Sequence, residues 1–290
     1  MRKRYATACC REFGDPRSLC SRRNIPLITH PRNSSKTMSA DHLNQLQKIF
    51  ELQANIQDIH PFLEKLFPIV VAEDGQFLIY DAEPHLRRYA LVQKTATPMP
   101  IPQGVRAAFP LESYQSRMVC VVTGEVFDHL EGYSTIFHEF IHCQQAECCE
   151  QRLKQTLEVA RQAQAAHDPM WEINHPFPYA APGFVQLYQA FLGDPTFSDM
   201  EKIRHHLLKS LARQDYEYML WQEWKEGFAR AVENRVRRRL GLPENRGGKE
   251  LPFSRVSFYA GGEHFIEILE KRDSAVWIDI EALFERMIHI

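Results

Sequence analysis

The sequence predicts an α+β protein, with a small sheet-containing lobe in front and a mostly helical lobe behind it. Two patterns carry that expectation. Between about residues 76 and 122, three short runs rich in β-branched and aromatic residues (77–80, 89–92 and 118–122) are separated by Pro98, Pro100, Pro102 and Pro110, the texture of strands with long connections. After Gly132 the chain becomes helical in spacing, and 134–166 contains neither Gly nor Pro. The 290 residues, 44% hydrophobic and 25% charged, suffice for one large domain or two small ones and exclude a collagen, a coiled-coil rod or a wholly disordered chain.

Residues 1–37 carry nine Lys/Arg against Glu12 and Asp15 and show no apolar periodicity. Such a segment cannot bury enough surface to offset its chain entropy, so it reads as a disordered basic leader. An Arg-rich, acid-poor leader also fits an organellar transit peptide. The folded part is expected at 38–290, with the sheet lobe at about 38–132 and the helical lobe at about 133–290. A first helix is expected from about 40 to 60, where Leu43, Leu46, Ile49, Phe50, Leu52, Ile56 and Ile59 recur mostly three or four apart. Pro61 opens a further short helix and Pro68 closes it. Pro169, Pro176, Pro178 and Pro182 mark a loop, and helical patterns follow at 183–193, 199–213, 215–240, about 260–271 and 278–288.

Composition narrows the function classes. The net charge of −2 gives no case for nucleic acid or an anionic membrane as partner, and no run approaches the roughly 18 apolar residues of a membrane span. The seven cysteines form no C-x-x-C pair and no disulfide ladder, which reads as reduced thiols in a cytoplasmic setting. Arg235, Arg237, Arg238 and Arg239 precede Gly241 and read as a helix C-terminus whose cations complement the dipole.

The chemistry centres on His138-Glu139-Phe140-Ile141-His142. Residues four apart on a helix are offset by about 40°, so both imidazoles project from one face and can share a metal. Glu139 lies on the adjoining edge, where a carboxylate can serve a metal-bound water as general base without being a ligand. Zinc suits two imidazoles and a carboxylate with one position open. For the third ligand, Glu226 stands beside Gly227 on a helix whose packing face is Trp221, Trp224, Phe228 and Val232. A mid-helix Gly costs about 1 kcal/mol relative to Ala unless close approach demands it, and a helix crossing tightly over the metal helix would supply that demand. Glu223, one turn earlier, is the rival ligand. Cys143, Cys148 and Cys149 are poorly spaced for one metal site and read as packing thiols.

The H-E-x-x-H helix together with the distant E-G-F-A-x-x-x-E segment resembles the gluzincin zinc metallopeptidases, the thermolysin-like and aminopeptidase-N-like group. The resemblance covers about 133–142, 226–233 and 259–262, and it implies a zincin-like fold. It also implies that Glu226 is the third zinc ligand and that Glu233 orients a ligand from behind. Tyr259-Ala260-Gly261-Gly262 has the spacing of the aminopeptidase Tyr-x-x-Gly motif, which makes Tyr259 the oxyanion donor, with His264 as the substitute. No Gly-x-Met-Glu-Asn-type segment precedes the zinc helix, which points away from aminopeptidase specificity. The expected function is zinc-dependent hydrolysis of a peptide or protein substrate, with strand 118–122 pairing with the extended substrate. The alternatives are a non-catalytic binding protein that keeps the zincin fold and a zinc hydrolase of a non-peptide amide.

Overall fold

A computed structural model describes residues 35–290 of the chain, with side chains described from Asp41 onward. The expected leader therefore lies outside the described residues except at its end, where helix α1 (Ser35–Ile56) has already begun. After α1, His60 accepts the Phe62 N–H at 3.1 Å on one ring nitrogen and donates from the other to the Trp277 carbonyl at 2.9 Å. That contact caps a 3-10 turn at Pro61–Leu63, where the sequence suggested a short helix.

Five strands follow: β1 (Ile69–Glu73), β2 (Gln76–Glu83), β3 (Arg88–Ala96), β4 (Arg106–Leu111) and β5 (Arg117–Thr123). The three expected strands fall within β2, β3 and β5, whereas β1 and β4 are additions. The β1–β2 hairpin turns at Asp74-Gly75, both at positive φ (47° and 71°), which is the pairing that a two-residue type I′ loop favours. The sheet order is β3-β2-β1-β5-β4, antiparallel throughout except for the parallel β1–β5 pair, in which Val70 lies opposite Val121. Strand β5 is thus flanked by β1 and β4 and has no free edge. The expectation that 118–122 pairs with substrate is incorrect, because the outer strand on that side is β4.

Alternation along the strands separates two apolar faces. Val70, Phe77, Ile79, Val119 and Val121 form a small outer cluster covered by Ile101, Phe109 and Tyr114. Ile69, Val71, Leu78, Tyr80, Cys120 and Val122 join the main core on the other side.

The rear lobe comprises α2 (Leu130–Gln145), a π-helical turn (Ala146–Glu150), α3 (Gln151–Thr156), α4 (Glu158–Ala165), α5 (Trp171–Asn174), α6 (Pro182–Leu192), α7 (Phe197–Ser210), α8 (Arg213–Arg239), α9 (Arg255–Glu270), α10 (Ala275–Ile278) and α11 (Ile280–Ile288). The architecture is α+β, a small mixed sheet beside a larger helical part. Segment 134–166 is not one helix. It swells into the π turn and breaks at Leu157, whose backbone is extended (φ −88°, ψ 131°). The new N-terminus at α4 is satisfied by Glu217, which accepts the Val159 N–H at 3.0 Å from 58 positions away. Among the described residues no helix is long and apolar enough to cross a membrane.

Helix α8 runs through the middle and is buried on nearly every side, with Trp221, Trp224, Phe228 and Val232 in the core as the periodicity implied. Gly227 is needed for a different contact from the one expected. A Cβ there would lie 2.4 Å from the Gly262 Cα, and a Cβ on Gly262 would lie 2.0 Å from the Glu223 carbonyl oxygen. The close crossing is therefore α8 on α9, backbone against backbone, and not α8 on the H-E-x-x-H helix. Because neither contact ends on a flexible side chain, Gly227→Ala and Gly262→Ala should each cost about 1–3 kcal/mol or more by overpacking. Thermal denaturation should show each variant melting several degrees lower, while an exposed control such as Gly183→Ala stays near wild type.

Candidate metal centre

Helix α2 presses Ile136, Phe137, Phe140 and Ile141 into the core, and Phe137 and Phe140 meet edge to face at 5.9 Å. The helix packs on β4, β5 and α8, and His138 and His142 meet Glu226 and Glu233 of α8. All three are buried, each 8% exposed. Helix α8 supplies Glu226. The two imidazole Nε2 atoms are 3.1 Å apart, and Glu226 Oε2 lies 3.3 Å from His142 Nε2 and 3.8 Å from His138 Nε2. Ligands at about 2.0–2.1 Å from a tetrahedral zinc stand roughly 3.4 Å from one another. The observed triangle has those edges. His138, His142 and Glu226 also form the group of converging metal-binding atoms among the described residues.

A second layer sets the orientation of both rings. Glu233 Oε2 lies 3.0 Å from His138 Nδ1, and Gln145 Oε1 lies 2.9 Å from His142 Nδ1. With each Nδ1–H donating backwards, each Nε2 presents its lone pair to the shared point. Glu233 is in turn held by Arg237 at 2.8 Å, and the Gln145 side-chain amide donates to the Lys225 carbonyl at 3.1 Å, next to Glu226. The sequence signal for Gln145 is its i,i+3 spacing from His142, which places both on one face. Lys225 itself is neutralised by Glu150 at 3.0 Å and Glu172 at 2.8 Å.

The electrostatics follow from crowding acids and imidazoles out of water. Burial opposes a charge on His138, but the carboxylates of Glu226 and Glu233 outweigh it and push its pKa up to about 10. Burial likewise opposes ionisation of Glu226, and His142, His138 and Arg255 overcome it, holding that carboxyl well below its usual range. Glu233 is brought down to about 2 by His138 and Arg237 against the same opposition. Glu139 behaves differently. Burial raises its pKa despite the two imidazoles, which is the direction suited to a group that must accept a proton and give it back.

On α9, Tyr259 lies between two guanidiniums, with Arg230 at 5.2 Å and Arg255 at 5.3 Å from its ring centre. Arg255 also reaches Glu226 Oε1 at 3.5 Å, so Tyr259 is linked to the triangle through one side chain. Neither arginine was singled out from the sequence, although Arg230 is four residues after Glu226 and Arg255 four before Tyr259. His264 is not part of this cluster. Five residues on a helix rotate by about 140°, and His264 packs instead beside Phe191 of α6 at 5.5 Å between ring centres. Its Nε2 is buried without a hydrogen-bond partner, and burial lowers its pKa.

Glu223, the rival ligand, lies elsewhere. It is fully buried against Arg204, with Arg204 Nη1 at 3.1 Å and the Tyr188 hydroxyl donating at 2.8 Å. Cys143 lies in the core of α2, whereas Cys148 and Cys149 lie in the π turn. The basic run is committed to acids of its own chain: Arg235 pairs with Glu270, Arg237 with Glu233, Arg238 with Glu244 and Arg239 with Asp58.

Compared with protein-family models, with curated proteins and with solved structures, the chain matches none of them.

If the triangle holds zinc, Glu226→Ala should abolish stoichiometric binding, and because Glu226 is the counter-charge of His138, His142 and Arg255 the metal-free chain should also melt lower. Glu223→Ala should keep the triangle and its metal content but leave Arg204 buried without its counter-charge, a loss of about 3–5 kcal/mol. Metal analysis after dialysis, paired with thermal melts, separates the two.

Proposed function

We propose that the protein is a zinc-dependent peptidase in which His138, His142 and Glu226 hold the metal. The observation that carries this reading is the triangle of two Nε2 atoms and one carboxylate oxygen with edges of 3.1, 3.3 and 3.8 Å, beside a buried glutamate with a raised pKa. The resemblance of the H-E-x-x-H and E-G-F-A-x-x-x-E segments to gluzincins points to the same chemistry and to a zincin-like arrangement. When bound, zinc would lower the pKa of a coordinated water to about 7 and polarise a scissile carbonyl.

The chain's own residues supply the rest. Glu139 accepts a proton from the attacking water and passes it to the leaving amine, a role that needs a carboxyl able to exist in both states near neutrality. Glu233 and Gln145 keep each Nε2 aimed inward through the catalytic cycle. Tyr259, between Arg230 and Arg255, offers a hydroxyl to the oxygen on which negative charge develops, and the two guanidiniums favour that charge. Strand β4, the outer strand of the sheet on the side that packs against α2, is placed to add an extended peptide as a further strand. An intact general base beside an open three-ligand set argues for catalysis over a purely structural metal, which four protein ligands usually close.

The deciding experiment is zinc analysis of the purified chain combined with a peptide-library cleavage profile. About one zinc per chain and metal-dependent cleavage are expected, and His138→Ala and His142→Ala should each lose both. Glu139→Gln should retain zinc and the fold yet lose turnover, since an amide cannot take the water's proton. Tyr259→Phe should lower kcat by about a hundredfold with KM and zinc content little changed, because its hydroxyl acts mainly on the transition state.

A further inference from the structure

The π-helical turn that follows the H-E-x-x-H helix contains two adjacent cysteines. Their Sγ atoms are 3.2 Å apart, with Cys148 exposed and Cys149 buried behind it. The Cys148 thiol also reaches the Gln145 carbonyl at 3.7 Å, and the Arg152 guanidinium donates to the Cys148 carbonyl at 3.0 Å. The other two described cysteines, Cys120 and Cys143, are fully buried, and burial pushes both thiols well up. Cys148 differs from them. The neighbouring Cys149 thiol stabilises a thiolate there and outweighs partial burial, with help from Arg152, so its pKa falls.

We propose that Cys148 and Cys149 are an oxidation site for hydrogen peroxide, in which Cys148 reacts first, Cys149 resolves it, and the resulting disulfide opens the π turn and loosens His142. In the first step the Cys148 thiolate attacks a peroxide oxygen and the O–O bond breaks. A sulfenic acid forms on Cys148, and the departing hydroxide takes up a proton to leave as water. In the second step the Cys149 sulfur attacks the Cys148 sulfur. The S–O bond breaks, the Cys149 proton leaves with the hydroxide as a second water, and the disulfide closes. Two thiols are oxidised by two electrons in total, and one peroxide is reduced to two waters.

The coupling to His142 is geometric. Neighbouring Cα atoms across a trans peptide are about 3.8 Å apart, whereas disulfide-bonded residues ordinarily need about 4.4–6.8 Å. Closing this bond therefore requires the backbone of 148–149 to leave the turn. That turn begins directly after Gln145, whose side chain fixes the His142 ring at 2.9 Å and ties it to the Lys225 carbonyl at 3.1 Å. The thiol chemistry stands without a metal, while its effect on His142 rests on the proposed zinc site.

The test treats the full-length zinc-loaded chain with hydrogen peroxide and follows each cysteine by differential alkylation and peptide mass spectrometry. Cys148 and Cys149 should become protected together, in a fragment lighter by two hydrogen atoms and restored by dithiothreitol, at least tenfold faster than Cys143. Cys149→Ser should stop at a Cys148 sulfenic acid that dimedone traps, and Cys148→Ser should leave Cys149 reduced. Zinc affinity of the oxidised chain should fall about tenfold or more, as it does when an outer partner of a ligating His is lost, and Cys148→Ser should abolish that fall. The proposal is overturned if Cys148 remains alkylatable, if it pairs instead with Cys9, Cys10 or Cys20, or if the wild-type chain stops at the sulfenic acid. Ring closure with zinc affinity unchanged overturns the link to His142. Failure of the reduced chain to bind zinc overturns the metal reading alone.

Discussion

Two imidazole nitrogens held 3.1 Å apart inside a protein cannot both present lone pairs to each other without a cation between them. That requirement organises the molecule around α2 and α8. A proton meets it in part, and the carboxylates of Glu226 and Glu233 make His138 easy to charge; a metal would meet it for both rings and Glu226 together. Either way the carboxylates must be nearby and fixed, and Glu226, Glu233 and Gln145 are each tied to something that does not itself titrate near neutrality: an arginine or a backbone carbonyl.

Helix α8 bears most of this load. It presents aromatic bulk to α10 and α11, Glu223 to Arg204 of α7, and Glu226, Arg230 and Glu233 towards α2 and α9. A helix buried on so many sides gains stability from every face, but every polar residue on it then needs a partner at its own level. The Lys225–Glu150–Glu172 cluster and the Arg204–Glu223–Tyr188 cluster satisfy that condition on the N-terminal side of Glu226, at the preceding residue and about one turn earlier.

Much of the site was legible in the sequence because its logic is local. The i,i+4 histidines announce themselves within a single helix turn, whereas Gly227 pointed to Glu226 for a reason the structure overturns, since that glycine serves the crossing of α8 on α9. Tyr259 and His264 could not be ranked until α9 was seen to rotate one of them away, towards Phe191. Glu223 and Glu226 were separable only once α6 and α7 had brought Tyr188 and Arg204 to one of them. In the fold, β2, β3 and β5 stood out through their apolar runs. Strand β1 was missed although Asp74-Gly75 is a hairpin signal, and β4 was missed because Arg106, Pro110 and small alanines dilute an edge strand's pattern. The break at Leu157 depends on Glu217, a partner that no local window contains.

The crossing of α8 and α9 at Gly227 and Gly262 is a contact between main chains, with no side chain able to yield. Two helices seated that closely behave as one solid piece. Glu226 and Tyr259 therefore keep a constant separation whatever happens in the connecting segment 240–254. On the sheet side, the outer strand β4 packs against α2. Substitutions along β4 and its flanking loops leave that main-chain crossing untouched, and with it the spacing of Glu226 and Tyr259.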